Sequence, residues 1–394
     1  MTAPASHTER LSGDHRVIAR VFALTDVGRT REHNEDTFLV ADLETGTPLA
    51  FTSGSHEITA HPHGLLFLVA DGMGGAASGE LASSMAGSLV LDALSRIWKA
   101  ADPSPEAFAE ALRDATILAN ARIHQHAREN PEHRGMGTTA TIAGLLGDRL
   151  FMVQVGDSRA YMVRNGDVQQ LTKDQSLMQR LVEAGELTAE EAEVSERRNI
   201  ILQALGPESH VTVDLTHQQV RRGDTLILCS DGLSGLVRAP EIARTAHDEN
   251  DMRAICQRLV DRANQLGGPD NITVIAARFD GDALTASGNG DSFGYTAFPL
   301  AGTMNDDARQ TPLPKREARP TLKSDPTPRY GTPMPSRAIL EEDFERARAA
   351  EDHALLGAPE PVVEERRRAV QPIFMVLGFI ALIAVVWLLF ALFE

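Results

Sequence analysis

Apolar positions along the chain come in short unbroken runs, and most of these runs stop at an aspartate. Gly64-Leu65-Leu66-Phe67-Leu68-Val69-Ala70 ends at Asp71 and predicts a buried strand. Thr225 to Cys229 ends near Asp231, and Arg149 to Val155 ends near Asp157. Ile272 to Phe279 begins just after Asp270. Arg164-Asn165-Gly166-Asp167 sits between strand-like runs and predicts a hairpin, because Asn-Gly tolerates the positive φ angles of a type I′ turn. Ser104-Pro105 opens a helix as cap and first residue, and Phe108, Leu112, Ala115 and Ala119 follow at helical spacing. Gly79 to Ala100 predicts a second long helix. Strands, two long helices and then several strands with hairpin signals do not make the strict βα alternation of a doubly wound fold.

This organisation divides the chain. Residues 1–16 are polar. Residues 17–281 carry the strand and helix patterns. From 282 to 365 Pro, Ser, Thr, Gly and charge dominate, and Thr311-Pro312-Leu313-Pro314 and Pro326-Thr327-Pro328 cannot propagate a helix. That composition reads as a mostly disordered linker, with one short helix expected from Arg337 to Leu356. Residues 366–394 close with Arg366-Arg367-Arg368 and then Ile373 to Phe393, an apolar run without a charge. At 1.5 Å per residue the run measures about 30 Å, the thickness of a bilayer core. It predicts a transmembrane helix with Trp387 toward the far interface, and the arginines keep the large domain on the cytoplasmic side.

Composition narrows the function. A formal charge of −17 argues against a nucleic-acid binder. The two cysteines, Cys229 and Cys256, lie in apolar stretches with no C-x-x-C pair, so neither a disulfide framework nor a zinc–thiolate site is expected. Residues 1–20 have no apolar core of a secretory signal.

Four acidic residues carry the candidate chemistry: Asp71, Asp157, Asp231 and Asp270. Each lies beside a glycine or a turn at the end of an apolar run. Adjacent strands that end together bring their last residues to one edge, where several carboxylates repel one another unless cations stand between them. Hard oxygen ligands without cysteine favour Mg²⁺ or Mn²⁺ over zinc. Gly72 lets the backbone come close enough for its carbonyl to join. Arg31, in Arg31-Glu32-His33-Asn34-Glu35-Asp36, offers a planar fork to phosphate oxygens. His56, His61 and His63 lie in a polar insertion, residues 44–63, that reads as a flexible loop.

Taken together, Arg31 with Asn34-Glu35-Asp36, Asp71-Gly72-Met73-Gly74-Gly75, Gly135-Met136-Gly137-Thr138-Thr139, Gly156-Asp157-Ser158-Arg159, Leu171-Thr172-Lys173-Asp174, Cys229-Ser230-Asp231-Gly232 and Gly268-Pro269-Asp270-Asn271 resemble the bacterial 2C-type metal-dependent serine/threonine phosphatases, in family order. The resemblance implies an α+β fold, a four-layer α/β/β/α sandwich of two antiparallel sheets flanked by helices. It implies two to three Mn²⁺ or Mg²⁺ ions. Asp71 would bridge two of them, Gly72 would add a carbonyl, Asp231 and Asp270 would hold one ion, and Asp157 would serve a third. Glu35 and Asp36 would act through water, and Arg31 would bind the phosphoryl group. Residues 176–199 would form a variable flap beside the site, with helical character from Leu187 to Glu196.

Met73 stands where eukaryotic relatives carry a histidine proposed as general acid, and methionine donates no proton. Tyr161 and His33 read as structural, which leaves a metal-bound water as the candidate. The implied activity is hydrolysis of phosphoserine and phosphothreonine on proteins by a metal-activated water, opposing serine/threonine kinases at the bacterial inner membrane. A calcium scaffold would show EF-hand spacing, which is absent, and a pseudophosphatase would be expected to lack one of Asp71, Asp231 or Asp270.

Overall fold

The computed structural model describes residues 16–299, apart from 53, 100, 102, 103, 196, 289 and 290. The chain divides into two units, Met1–Pro312 and Leu313–Glu394, and the elements below belong to the first. Strands β1 (Ile18–Asp26), β2 (Asp36–Asp42), β3 (Thr47–Pro48), β4 (His56–Thr59) and β5 (Leu65–Met73) precede helices α1 (Ala76–Lys99) and α2 (Pro105–Glu129). Next come β6 (Gly137–Thr138), β7 (Ala140–Leu146), β8 (Arg149–Val155), β9 (Arg159–Arg164) and β10 (Asp167–Gln170). Short helices α3 (Leu177–Glu183) and α4 (Ala189–Glu193) follow. The last elements are β11 (Asp214–Gln219), β12 (Thr225–Cys229), α5 (Asp231–Ser234), α6 (Ala239–Asp248), α7 (Met252–Gln265) and β13 (Ile272–Asp280).

One sheet runs β10-β9-β12-β13-β1-β4 and the other β11-β8-β7-β5-β2-β3, with β6 pairing onto β5. The strand pairs are antiparallel. Three apolar layers set the stacking. Leu65, Phe67 and Val69 face the layer shared with the first sheet's Val21, Leu226 and Ile275. Leu66, Leu68 and Ala70 face α1 and α2 through Ala86, Leu94, Phe108 and Leu112. The first sheet's other face packs Ile227, Tyr161 and Val274 on Ile242 of α6 and Ile255 and Leu259 of α7. The unbroken apolar run of β5 follows directly, since alternate side chains serve two different cores. Each large one contributes about 1.5–3 kcal/mol of burial.

The local signals act as expected at several points. The Ser104 side chain accepts from the Ala107 N–H ahead of Pro105, and Phe108, Leu112, Ala115 and Ala119 are all buried. Asn165 and Gly166 turn with φ of 53° and 87°. Elsewhere the structure differs. β5 does not stop at Asp71: β7 releases it at Val69, but β2 still pairs with Asp71 and β6 takes over at Gly72. Helix α1 starts at Ala76, ahead of Gly79.

Two segments expected to lack structure have some. The insertion 44–63 holds β4, which pairs with β1 as an edge strand. Its histidines have separate partners: His56 Nε2 lies 2.9 Å from the Ala50 carbonyl, and His63 Nδ1 lies 2.6 Å from Glu44. Packing also continues past residue 281, where Leu284 is buried and Phe293 and Phe298 lie against the two cores. The flap region forms two short helices, the second with a capping box between Thr188 and Glu191. The expected helix at 337–356 and the apolar run 373–393 lie outside the described residues. Among the described residues no helix is long and apolar enough to cross a membrane.

Candidate active site

Asp36 opens β2 and Asp71 lies near the end of β5, and the two are direct register partners. Cross-strand partners of like charge normally oppose pairing. Here they are locked from outside. Thr138 Oγ1 and the Thr139 N–H donate to the Asp71 carbonyl at 2.9 and 2.8 Å, and the Asp71 N–H donates to Thr139 Oγ1 at 3.0 Å. Ser230 Oγ donates to Asp36 Oδ2 at 2.7 Å.

Asp231 begins α5 directly after β12, and Asp270 stands two residues before β13. Strands β12 and β13 pair from Cys229 and Val274 onward, so both carboxylates emerge at one end of the first sheet. Gly232 makes their approach possible: a Cβ there would collide with the Asn271 carbonyl and touch Asp270 Cβ. Gly72 is equally constrained, since a Cβ would strike the carbonyls of Gly79 and Glu35. Asn271 fastens the third segment. Its Nδ2 donates to the Val27 and His33 carbonyls, and its Oδ1 accepts the Glu35 N–H at 2.8 Å.

The carboxylates sense one another. Loss of water pushes Asp71 well above the usual carboxylate range, and Asp36, Asp231, Asp157 and Asp270 push it further. Burial raises Asp36 to about 7, against the pull of the nearby Thr273 and Ser230 hydroxyls, of which Ser230 bonds Oδ2. Burial and then Asp231 raise Asp157 to about 8. Asp231 is raised by burial and by Asp270, against the pull of neighbouring Asp71, Arg159 and Arg31. Glu35 is raised by burial despite Arg31.

Beside the carboxylates opens a cleft of about 270 Å³, lined by Arg31, Asp157, Arg159, Asp174, Asp231 and Asp270, by Arg198 and Asn199 from the flap region, and by Arg238. Arg31 Nη2 donates to Asp270 Oδ2 at 2.9 Å, with its side chain 47% exposed. Arg159 grips Asp174 with Nε and Nη2, and its Nη1 donates to the Tyr161 hydroxyl at 3.1 Å. Tyr161 is buried in the helix-facing core, and burial pushes its hydroxyl upward; it is a structural residue.

All the sequence-predicted site residues thus gather at one end of the two sheets. Asp36, expected to act through water, stands in the same carboxylate group as Asp71. Asn271, Ser230 and Thr139 were visible only as motif members, although they hold the acidic residues in place. Arg198 and Arg238 carried no sequence signal.

A divalent cation fits this donor set. Asp36 Oδ1 is buried with no hydrogen-bond partner, and a buried carboxylate oxygen without a partner is costly. Among the described residues no three His, Cys, Asp or Glu side chains stand close enough to be read as a metal site by spacing alone. Burial and mutual repulsion raise the proton affinity of Asp71, Asp231 and Asp157, and a cation would relieve the same repulsion.

Residues 54–271 match the family described as protein phosphatase 2C. The chain belongs to the protein phosphatase 2C family. Among its protein phosphatase 2C relatives is the serine/threonine phosphatase stp of Listeria monocytogenes, 35% identical over 258 residues, covering 65% of this chain and 94% of that one. The serine/threonine protein phosphatase PstP of Mycobacterium tuberculosis (strain H37Rv) is 35% identical over 313 residues, covering 77% of this chain. This chain spans about half that relative, 51% of its length. A solved catalytic domain of a PstP, in complex with two manganese ions, is 33% identical with a TM-score of 0.53. The match covers 67% of this chain and 99% of that domain.

Proposed function

We propose that this chain hydrolyses phosphoserine and phosphothreonine on proteins, with divalent cations held by Asp71, Asp231 and Asp270. The observation that carries the reading is the convergence of Asp36, Asp71, Asp231 and Asp270 beside an arginine-bearing cleft, with Asp36 Oδ1 left unpaired. Asp157 feels Asp231 more strongly than any other carboxylate and would serve a third ion. Glu35 and the Gly72 carbonyl would complete the surroundings. When bound, Mn²⁺ or Mg²⁺ supplies Lewis-acid activation of water and cancels phosphoryl charge.

The chain's own groups do the rest. Arg31 has five N–H donors, so it can keep Asp270 and still offer a fork to two phosphoryl oxygens. Asp174 fixes Arg159 against the cleft wall, and Asn271 ties the Arg31 segment to Asp270. Met73 donates no proton and Tyr161 is sequestered; this reading assigns protonation of the leaving oxygen to water in the cleft in preference to His33.

Membrane attachment belongs to the same reading. The apolar run Ile373 to Phe393 and the preceding three arginines support a single anchor at the bacterial inner membrane, with the phosphatase unit in the cytoplasm. There it would oppose a serine/threonine kinase. The test is phosphate release from matched phosphothreonine and phosphotyrosine peptides, with Mn²⁺ or with EDTA. The reading expects release from phosphothreonine only, abolished by EDTA; equal release in EDTA overturns it. Sedimentation with membranes through a high-salt wash, lost on truncation after Glu365, tests the anchor.

A further inference from the structure

Beyond the family match, residues 291–298 return to the outer edge of the second sheet. The Phe298 N–H donates to the Leu215 carbonyl at 2.8 Å, and the His217 N–H donates to the Thr296 carbonyl at 2.9 Å. Thr216 and Ala297 form an antiparallel bridge. The segment therefore extends the sheet at β11, the way an added strand covers an open edge. The Phe298 ring packs edge-on against Phe151 and His217, 5.4 and 5.3 Å between centroids. Asp291 pairs with Arg221 at 2.9 Å.

Tyr295 faces a different neighbour. Its hydroxyl donates to Asp214 at 3.1 Å, and its ring lies 4.6 Å from Lys173 Nζ. Lys173 in turn reaches Glu183 of α3 at 3.3 Å. The next residue, Asp174, holds Arg159 in the cleft wall. A chain of contacts thus runs from the added strand to the flap segment, whose Arg198 and Asn199 line the cleft. Between Leu177 and Asn199, Met178 and Ala192 are the buried apolar residues among those described. Segments with so few buried contacts sit at the low end of local stability, so weak contacts decide their pose.

We propose that Tyr295 is a positioning residue: its ring holds Lys173, Lys173 holds Glu183, and the flap is thereby set over the cleft for protein substrates. The proposal rests on the phosphatase reading and extends it to substrate affinity. A cation–π contact at an exposed site biases an equilibrium by about threefold.

The experiment uses the full-length chain with Mn²⁺, as wild type, Tyr295→Phe, Tyr295→Leu and Lys173→Gln. It measures KM and kcat for a phosphothreonine peptide and for p-nitrophenyl phosphate, and amide exchange across 176–199. Tyr295→Leu should raise the peptide KM about threefold and speed exchange in 176–199, with p-nitrophenyl phosphate turnover unchanged. Tyr295→Phe keeps the ring and should match wild type. If Tyr295→Leu does not fold, Lys173→Gln must give the same KM and exchange shift. Unchanged KM and exchange in the folded variants overturn the proposal. So does an equal shift in Tyr295→Phe and Tyr295→Leu, or an equal loss on both substrates. Absence of Mn²⁺-dependent hydrolysis in every form would instead count against the phosphatase reading, while amide exchange would still report on the Tyr295 link.

Discussion

Asp36 and Asp71 face each other directly across the β2–β5 pair, two carboxylates where a sheet normally avoids like charges. The pairing is kept by Ser230, Thr138 and Thr139, which hold these two aspartates from outside. The fold thereby stores a repulsion that positive charge relieves. Asp36→Asn should therefore raise the melting temperature of the metal-free protein and weaken its response to Mn²⁺. Differential scanning fluorimetry in EDTA and in Mn²⁺ checks both; a lower melting temperature in EDTA contradicts the account.

The same crowding sets a pH dependence. Asp36 is raised to about 7 and Asp157 to about 8, first by burial. A carboxylate with a raised pKa binds its proton more tightly folded than unfolded. Its contribution is fully present below the unfolded value, about 4, and is lost as pH rises through 7 to 8. Metal-free protein should therefore lose stability as pH rises from about 5 to about 8, and saturating Mn²⁺ should flatten the curve. Melting curves at fixed ionic strength measure it. Metal-free stability that rises over that interval would show that the carboxylates are not crowded as described.

Much of this was legible in the residue order. β5 announced itself because both its faces are buried, and the Asp-Gly turns marked where carboxylates leave the sheets. The Asp36–Asp71 register was not legible, since it depends on a pairing between strands separated by the 44–63 insertion. β4 was hidden for a local reason: His56 to Thr59 is an edge strand among His, Pro and Gly, without an apolar alternation. The segment 291–298 was hidden because the strand spacing of Phe293 and Tyr295 breaks before Phe298 and the segment lies among Gly, Asp and Ser, too short a pattern to stand out. Each of the three aromatics finds a different neighbour.

Arg31 sits at the cleft mouth, bonded to Asp270 and half exposed. Charged hydrogen bonds to a phosphoryl group are worth about 1.5–3 kcal/mol. Arg31→Ala should lower kcat/KM by about tenfold or more, mostly through KM, with Mn²⁺ affinity retained. Arg31→Lys should recover little, because an ammonium offers no fork. Steady-state kinetics with Mn²⁺ titration separates the two effects. An unchanged kcat/KM would assign the phosphate to another cation.

The central claim is that the aspartates at the sheet ends hold the ions that drive hydrolysis. The direct measurement is inorganic phosphate released from a phosphothreonine peptide at saturating Mn²⁺, by the wild-type chain and by Asp231→Ala, each shown to be folded by circular dichroism. The account predicts steady release by wild type and a loss on the order of a thousandfold in the variant. Release by folded Asp231→Ala at the wild-type rate would contradict it.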